Sequence, residues 1–379
     1  MPLVLNEEQR ILKDSARDFL VANAPVEALR KLRDEKDELG YDSAIWQQMV
    51  ELGWTAITVP EAYEGLDFGF MGLGAIATEM GHTLTASPLF ATCVLGASLI
   101  ELQGTEEQKN DYLPLVASGQ ITLAAAIEEA NHHAPTAIGT TATLAGEQFI
   151  LNGKKTFVLD GHSADKLIVL ARTSGDHSDK QGLSLFLVDG KTSGVSIERT
   201  QMFDSRNAAN ITLTDVKLDK TALIGESDNA FEALDETLDR GRAILAAEML
   251  GGCLEMFQRT CEYLKEREQF GVKIGTFQAL KHRASKMFIE IELCKSAVLG
   301  ALNAIDEKAE NRAELVSLAK AKLNDTYTLV TNEATQMHGG IGVTDELDVG
   351  LFLKRARVLG QLLGSSSFHR DRFATIKGF

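Results

Sequence analysis

Arg267–Glu268–Gln269–Phe270–Gly271–Val272–Lys273–Ile274–Gly275–Thr276–Phe277–Gln278–Ala279–Leu280 lies between two long segments of helical apolar period, and its punctuation sets how they join. The spacing predicts helix, tight turn, helix, with Gly271 as a left-handed C-cap and Gly275–Thr276 opening the second helix. Such a corner gathers three tools for an anionic, planar ligand. Arg267 offers a two-pronged donor to a pyrophosphate, the exposed amides at the second helix start favour anionic groups, and Phe270 with Gln278 would stack on or hydrogen-bond a planar ring. A plainer reading stands beside it, in which Arg267 is a solvated last-turn cation favoured by the helix dipole and Phe270 and Phe277 are core. Spacing alone favours the plainer one.

Outward from the corner, the helical period covers 230–270, 277–309, 312–337 and 347–363, long enough to pack as a four-helix bundle in which alanines and glycines allow close approach. Upstream, from Ile121, the period drops to about 2. Strands are expected at 121–127, 141–145, 148–151, 155–159, 166–171, 183–188, 195–199 and 210–216, with Asn152–Gly153 as a hairpin turn. Eight short strands predict a small antiparallel barrel or sandwich. Before it, Asn6 is an N-cap with Gln9 at the capping-box position, Asp42 caps a helix over 43–52, and 69–83, 89–102 and 106–118 read as further helices. The run Gly69–Phe70–Met71–Gly72–Leu73–Gly74 follows no strand, so it reads as close helix packing and not as a phosphate loop. The expectation is an α+β chain with a helical domain at 1–119, a β domain at 120–226 and a helical bundle at 227–379.

At 379 residues the chain exceeds what one core usually serves, and 44% hydrophobic residues with six prolines is an ordinary globular composition. A net charge of −16 argues against nucleic acid as a partner. Residues 1–10 carry no basic head followed by an apolar run, and no apolar run is long enough for a bilayer, so the expectation is a cytoplasmic protein with no membrane association. Cys93, Cys253, Cys261 and Cys294 show no metal-ligand pairing and read as buried reduced thiols. His132 and His133 are adjacent, which suits a loop pair better than a shared ligand sphere, and no metal site is expected.

The opening stretch resembles the acyl-CoA dehydrogenase signature Arg-x-x-Phe-Gly-x-x-Ile-Gly-x-Phe-Gln, and Gln336–Met337–His338–Gly339–Gly340–Ile341–Gly342 is similar to that family's Gln-x-x-Gly-Gly-x-Gly. The resemblance covers essentially the whole chain. It implies FAD as cofactor, with Arg267, Phe270, Gln278, Gln336, Gly339 and Gly340 among its contacts. It also implies an acyl-CoA substrate, an electron-transfer acceptor and a homo- or hetero-oligomer, because flavin contacts in the family come from both sides of a dimer interface. In the place of the family's Trp-Ile-Thr or Trp-Ile-Ser stands Phe157–Val158–Leu159, where Phe157 can still stack. In the place of Thr-Glu-Pro followed by Gly-Ser-Asp stands Ile127–Glu128–Glu129–Ala130–Asn131–His132–His133.

The family's chemistry removes an α-proton with a Glu while the β-carbon delivers hydride to the flavin. The two usual seats of that Glu fall at Leu363 and Gly241, and neither residue takes a proton. Asp239 lies about 200° round the helix from Gly241, and Glu248 returns to its face about 10 Å along the axis, so both are weak substitutes. Retained flavin motifs with both base positions lost resemble a divergent group that includes partner subunits of bacterial heteromeric dehydrogenases acting on steroid side chains. The first expectation is an FAD-dependent acyl-CoA α,β-dehydrogenase whose partner subunit supplies the Glu. The alternatives are a non-catalytic structural subunit of the same fold and a self-sufficient enzyme with a relocated carboxylate.

Overall fold

The first helix begins where the capping box places it: Asn6 Oδ1 accepts the Gln9 amide at 2.8 Å and Gln9 Oε1 accepts the Asn6 amide at 3.0 Å. This is a computed structural model, and it describes residues 4–379. Among the described residues six α-helices precede the strands: α1 (Glu7–Asn23), α2 (Val26–Glu35), α3 (Ser43–Glu51), α4 (Gly69–Thr83), α5 (Ala97–Gln103) and α6 (Glu106–Ala117). Asp42 caps α3 by accepting the amides of Ala44 and Ile45. The helix expected over 89–102 is π-helical over Phe90–Gly96 before α5. Five helices follow the strands: α7 (Phe231–Glu266), α8 (Gln278–Asp306), α9 (Arg312–His338), α10 (Val349–Leu359) and α11 (Ser366–Lys377). The last of these is an addition to the four expected, capped by Ser365, whose hydroxyl accepts the Phe368 amide.

The strands are β1 (Leu123–Ala126), β2 (Thr141–Ala145), β3 (Gln148–Leu159), β4 (Lys166–Arg172), β5 (Leu183–Asp189), β6 (Val195–Gln201), β7 (Asn207–Asp219) and β8 (Leu223–Ile224). They form one sheet in the order β6-β7-β3-β2-β4-β5-β8, with β1 on β4. Most pairs are antiparallel, and β1 is parallel to β4. Its core holds Phe149, Leu151, Val169, Phe186, Ile211 and Val216, with the Phe149 and Phe186 rings edge to face at 5.0 Å.

The expected hairpin at Asn152–Gly153 is corrected by the structure. The segments 148–151 and 155–159 are one strand, β3, and Asn152–Gly153 is a register shift within it against β7. Asn152 exchanges two bonds with Asp215, donating Nδ2 to its carboxylate at 3.0 Å and accepting its amide at 2.8 Å, so the extra residue, which lies on β7, is held as a bulge opposite Asn152. The turn lies one strand earlier, at Gly146–Glu147, where Gly146 has φ +67° and Ala145 pairs with Gln148.

The chain packs as two compact units, one of the described residues up to Lys31 with 70–85 and 242–379, the other of 32–69 and 86–241. In the first, α9 packs against α8, α10 and α11. In the run read as close packing, a Cβ on Gly74 would stand 2.4 Å from Leu302 Cδ1; α4 and α7 also approach closely, since a Cβ on Gly81 of α4 would stand 2.0 Å from the Glu248 carbonyl oxygen and one on Gly251 of α7 1.8 Å from the Thr78 carbonyl oxygen. Backbone is what blocks the last two, so α4 and α7 would have to separate. Replacing Gly251 with Ala is expected to cost about 1–3 kcal/mol, read as a lower urea midpoint at unchanged slope.

Candidate active site

The signature corner does not fold as helix, turn, helix. After α7 ends at Glu266, β9 (Glu268–Gln269) and β10 (Val272–Lys273) form a two-stranded hairpin, followed by a 3₁₀ turn at Ile274–Thr276. Phe270 (φ +55°) and Gly271 (φ +78°) are the two turn residues of that hairpin, so Gly271 is not a helix C-cap. Two successive positive φ values match the right-handed strand twist of a tight hairpin, which glycine makes cheap at one position only. The hairpin lifts Phe270 to 92% exposure. Phe277 is also exposed, its ring edge to face with Phe270 at 6.2 Å, so neither phenylalanine is core.

Arg267 and Gln278 flank this hairpin, and both are exposed. The Arg267 backbone is fixed by its amide to Tyr263 O (2.9 Å) and its carbonyl to the Ile274 amide (2.9 Å). Its guanidinium has no partner among the described residues. The second motif lies at the end of α9, and Tyr263 joins the two. The Tyr263 ring stacks on His338 at 4.4 Å and its hydroxyl donates to His338 O at 3.3 Å. His338 Nδ1 donates to Ala334 O at 2.8 Å, and burial lowers its pKa, so the ring sits neutral as a packing plate. Gln336, Gly339 and Gly340 are exposed beyond it, and a Cβ on either glycine would meet nothing within 4 Å. Backbone is therefore open to close approach there, and an exposed guanidinium such as that of Arg267 suits a phosphate-bearing cofactor. Tyr263 carries no motif signal and was legible in sequence only as part of the α7 period.

In the other unit, Phe157 sits at a register shift of β3 between Lys155 and Val158, with φ +53° and 53% exposure. The bulge turns its ring outward while Val158 is buried and pairs with Ala209. The segment that replaces the family's Thr-Glu-Pro is tied down by its own carboxylates. Glu129 accepts Lys155 Nζ (2.7 Å) and the amides of Gly139 (2.7 Å) and Thr140 (3.0 Å). Burial pushes the Glu129 carboxyl up, but Lys155 and these donors outweigh it and leave the pKa below its ordinary value. Glu128 takes His133 Nδ1 and the Ala134 amide. His133 is thus a buried partner of Glu128, and among the described residues no group of His, Cys, Asp and Glu is placed to hold a metal. Cys93, Cys253 and Cys294 are buried and Cys261 is partly so, all as free thiols.

Leu363 lies in the turn between α10 and α11 with φ +55° and 9% exposure. Its carbonyl accepts Arg242 Nε at 3.1 Å and faces His369 Nε2 at 3.1 Å. Gly241 and Asp239 lie on α7, both buried. Both Glu248 oxygens are taken by Arg355, at 2.8 and 3.0 Å. Under the Leu363 turn lies Lys320, fully buried and pushed down to about 7 by burial and by Arg242. Lys155 is pushed down to about 8 by burial against the pull of Glu129. An unfolded lysine keeps its proton to about pH 10.4. Between roughly pH 7 and 10 the unfolded chain therefore binds protons that the folded chain has released, and stability rises with pH through that window. Below about 7 both states are protonated and these groups add no slope. Calorimetric melting from pH 6.5 to 9.5 should show the rise, and Lys320→Met should flatten it.

Three family models match in chain order: "Acyl-CoA dehydrogenase, N-terminal domain" over 6–120, "middle domain" over 124–219 and "C-terminal domain" over 230–376. The chain is 31% identical over 383 residues to "Probable acyl-CoA dehydrogenase YngJ" of Bacillus subtilis, covering 98% of each. It is 29% identical to the 3-(aryl)acrylate reductase of Clostridium sporogenes, over 96% of this chain and 97% of that one. Among solved structures it is similar to a chain of a Tcur3481–Tcur3483 steroid ACAD variant (31% identity, 98% of both chains, TM-score 0.87). It is also similar to butyryl-CoA dehydrogenase from Megasphaera elsdenii (25% identity, 100% of both chains, TM-score 0.90).

Proposed function

Because this chain belongs to the acyl-CoA dehydrogenase family, FAD-dependent oxidoreductases acting on CH–CH bonds, we propose that it works as one subunit of a heteromer whose other subunit brings the catalytic Glu. In that reading Arg267, Gln278, Gln336, Gly339 and Gly340 are the first unit's cofactor contacts, and Phe157, Val158 and Leu159 are the second unit's own candidates for a flavin contact. The flavin, when bound, takes the β-hydride of the acyl-CoA. The protein's share is to orient the thioester, exclude water and hold a base at the α-carbon.

One observation carries the reading. Arg267, Gln278, Gln336, Gly339, Gly340 and Phe157 are exposed, whereas the two base positions hold Leu363 and Gly241, and Glu248, further along α7, is consumed by Arg355. A self-sufficient enzyme would need a free carboxylate or imidazole instead. Exposed apolar side chains support the oligomer: Ile289 (57%) and Leu293 (55%) stand one helical turn apart on α8 with Phe288 (50%) adjacent, near Phe270 and Phe277 in the chain. The steroid ACAD similarity makes a bulky ring-bearing acyl group the substrate to try first. In this reading the chain works in the cytoplasm and passes electrons to a separate acceptor. The domain division at 1–119, 120–226 and 227–379 belongs to the same proposal.

The test is the visible spectrum of the purified chain under anaerobic conditions, alone and with its partner, as acyl-CoAs are added. Bleaching only with the partner present is expected. Full bleaching by the homomer would overturn the two-subunit reading, and a partnered complex with no flavin would favour the structural subunit.

A further inference from the structure

The turn that carries Leu363 is held from beneath by side chains the reaction does not otherwise use. Three backbone carbonyls, at Leu359, Leu363 and Gly364, accept from buried donors. Lys320 Nζ donates to Leu359 O at 2.7 Å and lies 3.5 Å from Gly364 O. Its remaining proton goes to Asn324 Oδ1 at 2.7 Å, and Asn324 Nδ2 donates to Gly364 O at 3.2 Å. Between these two ends, Leu363 O takes the Arg242 and His369 bonds. A carbonyl only accepts, so His369 carries its proton on Nε2. Lys320, Arg242, Asn324 and His369 are all at most 4% exposed.

Two features make this more than ordinary packing. Leu363 and Gly364 have φ +55° and +117°, and a leucine in the left-handed region persists only where its surroundings over-determine it. A buried lysine is also an expensive way to fill a core: a methionine would occupy the space without a charge to desolvate. What Lys320 does that methionine cannot is bond both ends of the turn to α9. We infer that Lys320 is a positioning residue, which sets the direction of residue 363 by tying the Leu359 and Gly364 carbonyls to α9. The catalytic consequence rests on position 363 being a base seat of the family; the tether does not.

Hydrogen exchange of the intact protein, followed by mass spectrometry, tests the tether. Lys320→Met removes the tethers and the buried charge together, so the melting temperature should hold or rise. Peptides spanning 359–365 should nonetheless exchange at least about 10-fold faster, with α8 and mid-α9 peptides unchanged. A merely structural lysine would lower the melting temperature and loosen α9, α10 and α11 alike. Unchanged exchange at 359–365, or an increase spread evenly over those helices, overturns the inference. If Lys320→Met does not fold, Asn324→Ala, which removes one Gly364 bond, should still raise exchange in the same peptide. The catalytic part is read in the Leu363→Glu background, where adding Lys320→Met should lower kcat at least about 10-fold with KM for acyl-CoA unchanged. Localised exchange with an inactive Leu363→Glu chain would keep the tether and discard position 363 as a base seat. An active Leu363→Glu chain indifferent to Lys320→Met would keep position 363 as a base seat and overturn the catalytic role of Lys320.

Discussion

Replacing Leu363 with Glu should give a chain whose bound flavin is bleached by acyl-CoA without any second subunit, at about 10²–10⁴ times the rate of the unmodified chain. The turn is already built for a residue at this position. Its backbone is held by Arg242, His369, Lys320 and Asn324, so the new carboxylate inherits a fixed starting point and not a mobile loop. With Leu363 only 9% exposed, burial would raise the carboxyl above its ordinary value, toward working pH, while Arg242 and Lys320 nearby limit that rise. A base at the right pKa and place is what this chain lacks under the proposed reading. The measurement is anaerobic stopped-flow absorbance with flavin loaded, over a range of acyl-CoAs and pH 6–9. A Leu363→Glu chain that keeps its flavin yet shows no bleaching under any of these conditions would remove position 363 from the site. Gly241→Glu in the same assay then tests the other seat.

Local rules carried the reading far where the partners of a bond are near in sequence. The Asn6–Gln9 box and the Asp42 cap follow from residues three apart or fewer, and α1 and α3 start where those residues put them. Asn152–Gly153 misled because the pair that suits a turn here faces a bulge of β7 within a continuous strand, and the choice is made by Asp215, 63 residues away. The signature corner misled for a related reason: Gly271 does take a left-handed φ, but Phe270 does too, and nothing local marks a phenylalanine for that conformation. The same distance rule hides the supports of the site. Arg242 meets Leu363 across 121 positions and Lys320 meets Gly364 across 44. In the sequence Lys320 is only a charge on a helix of mixed period, and its burial and its bonds appear when α9, α10 and the turn are seen together. His133 reads as half of a loop pair until Glu128 closes on it.

Arg267→Ala should lower FAD affinity about 10- to 100-fold while leaving the melting temperature of the flavin-free chain where it was. The two halves of this expectation come from one fact. Arg267 is exposed and its guanidinium has no partner among the described residues, so truncation costs the fold no interaction. A charge-assisted pair with a pyrophosphate, by contrast, is worth about 1.5–3 kcal/mol, which is the stated range of affinity. Tyr263→Ala would be a poor substitute experiment, because it removes the stack on His338 and moves both motifs together. Fluorescence titration of FAD into the flavin-free protein, with melting curves on the same samples, separates binding from folding. Lost affinity at constant melting makes the hairpin corner a cofactor contact. Unchanged affinity returns Arg267 to the solvated cation that its spacing also allows, and with it goes the strongest reason to prefer a flavin-holding subunit over a structural one.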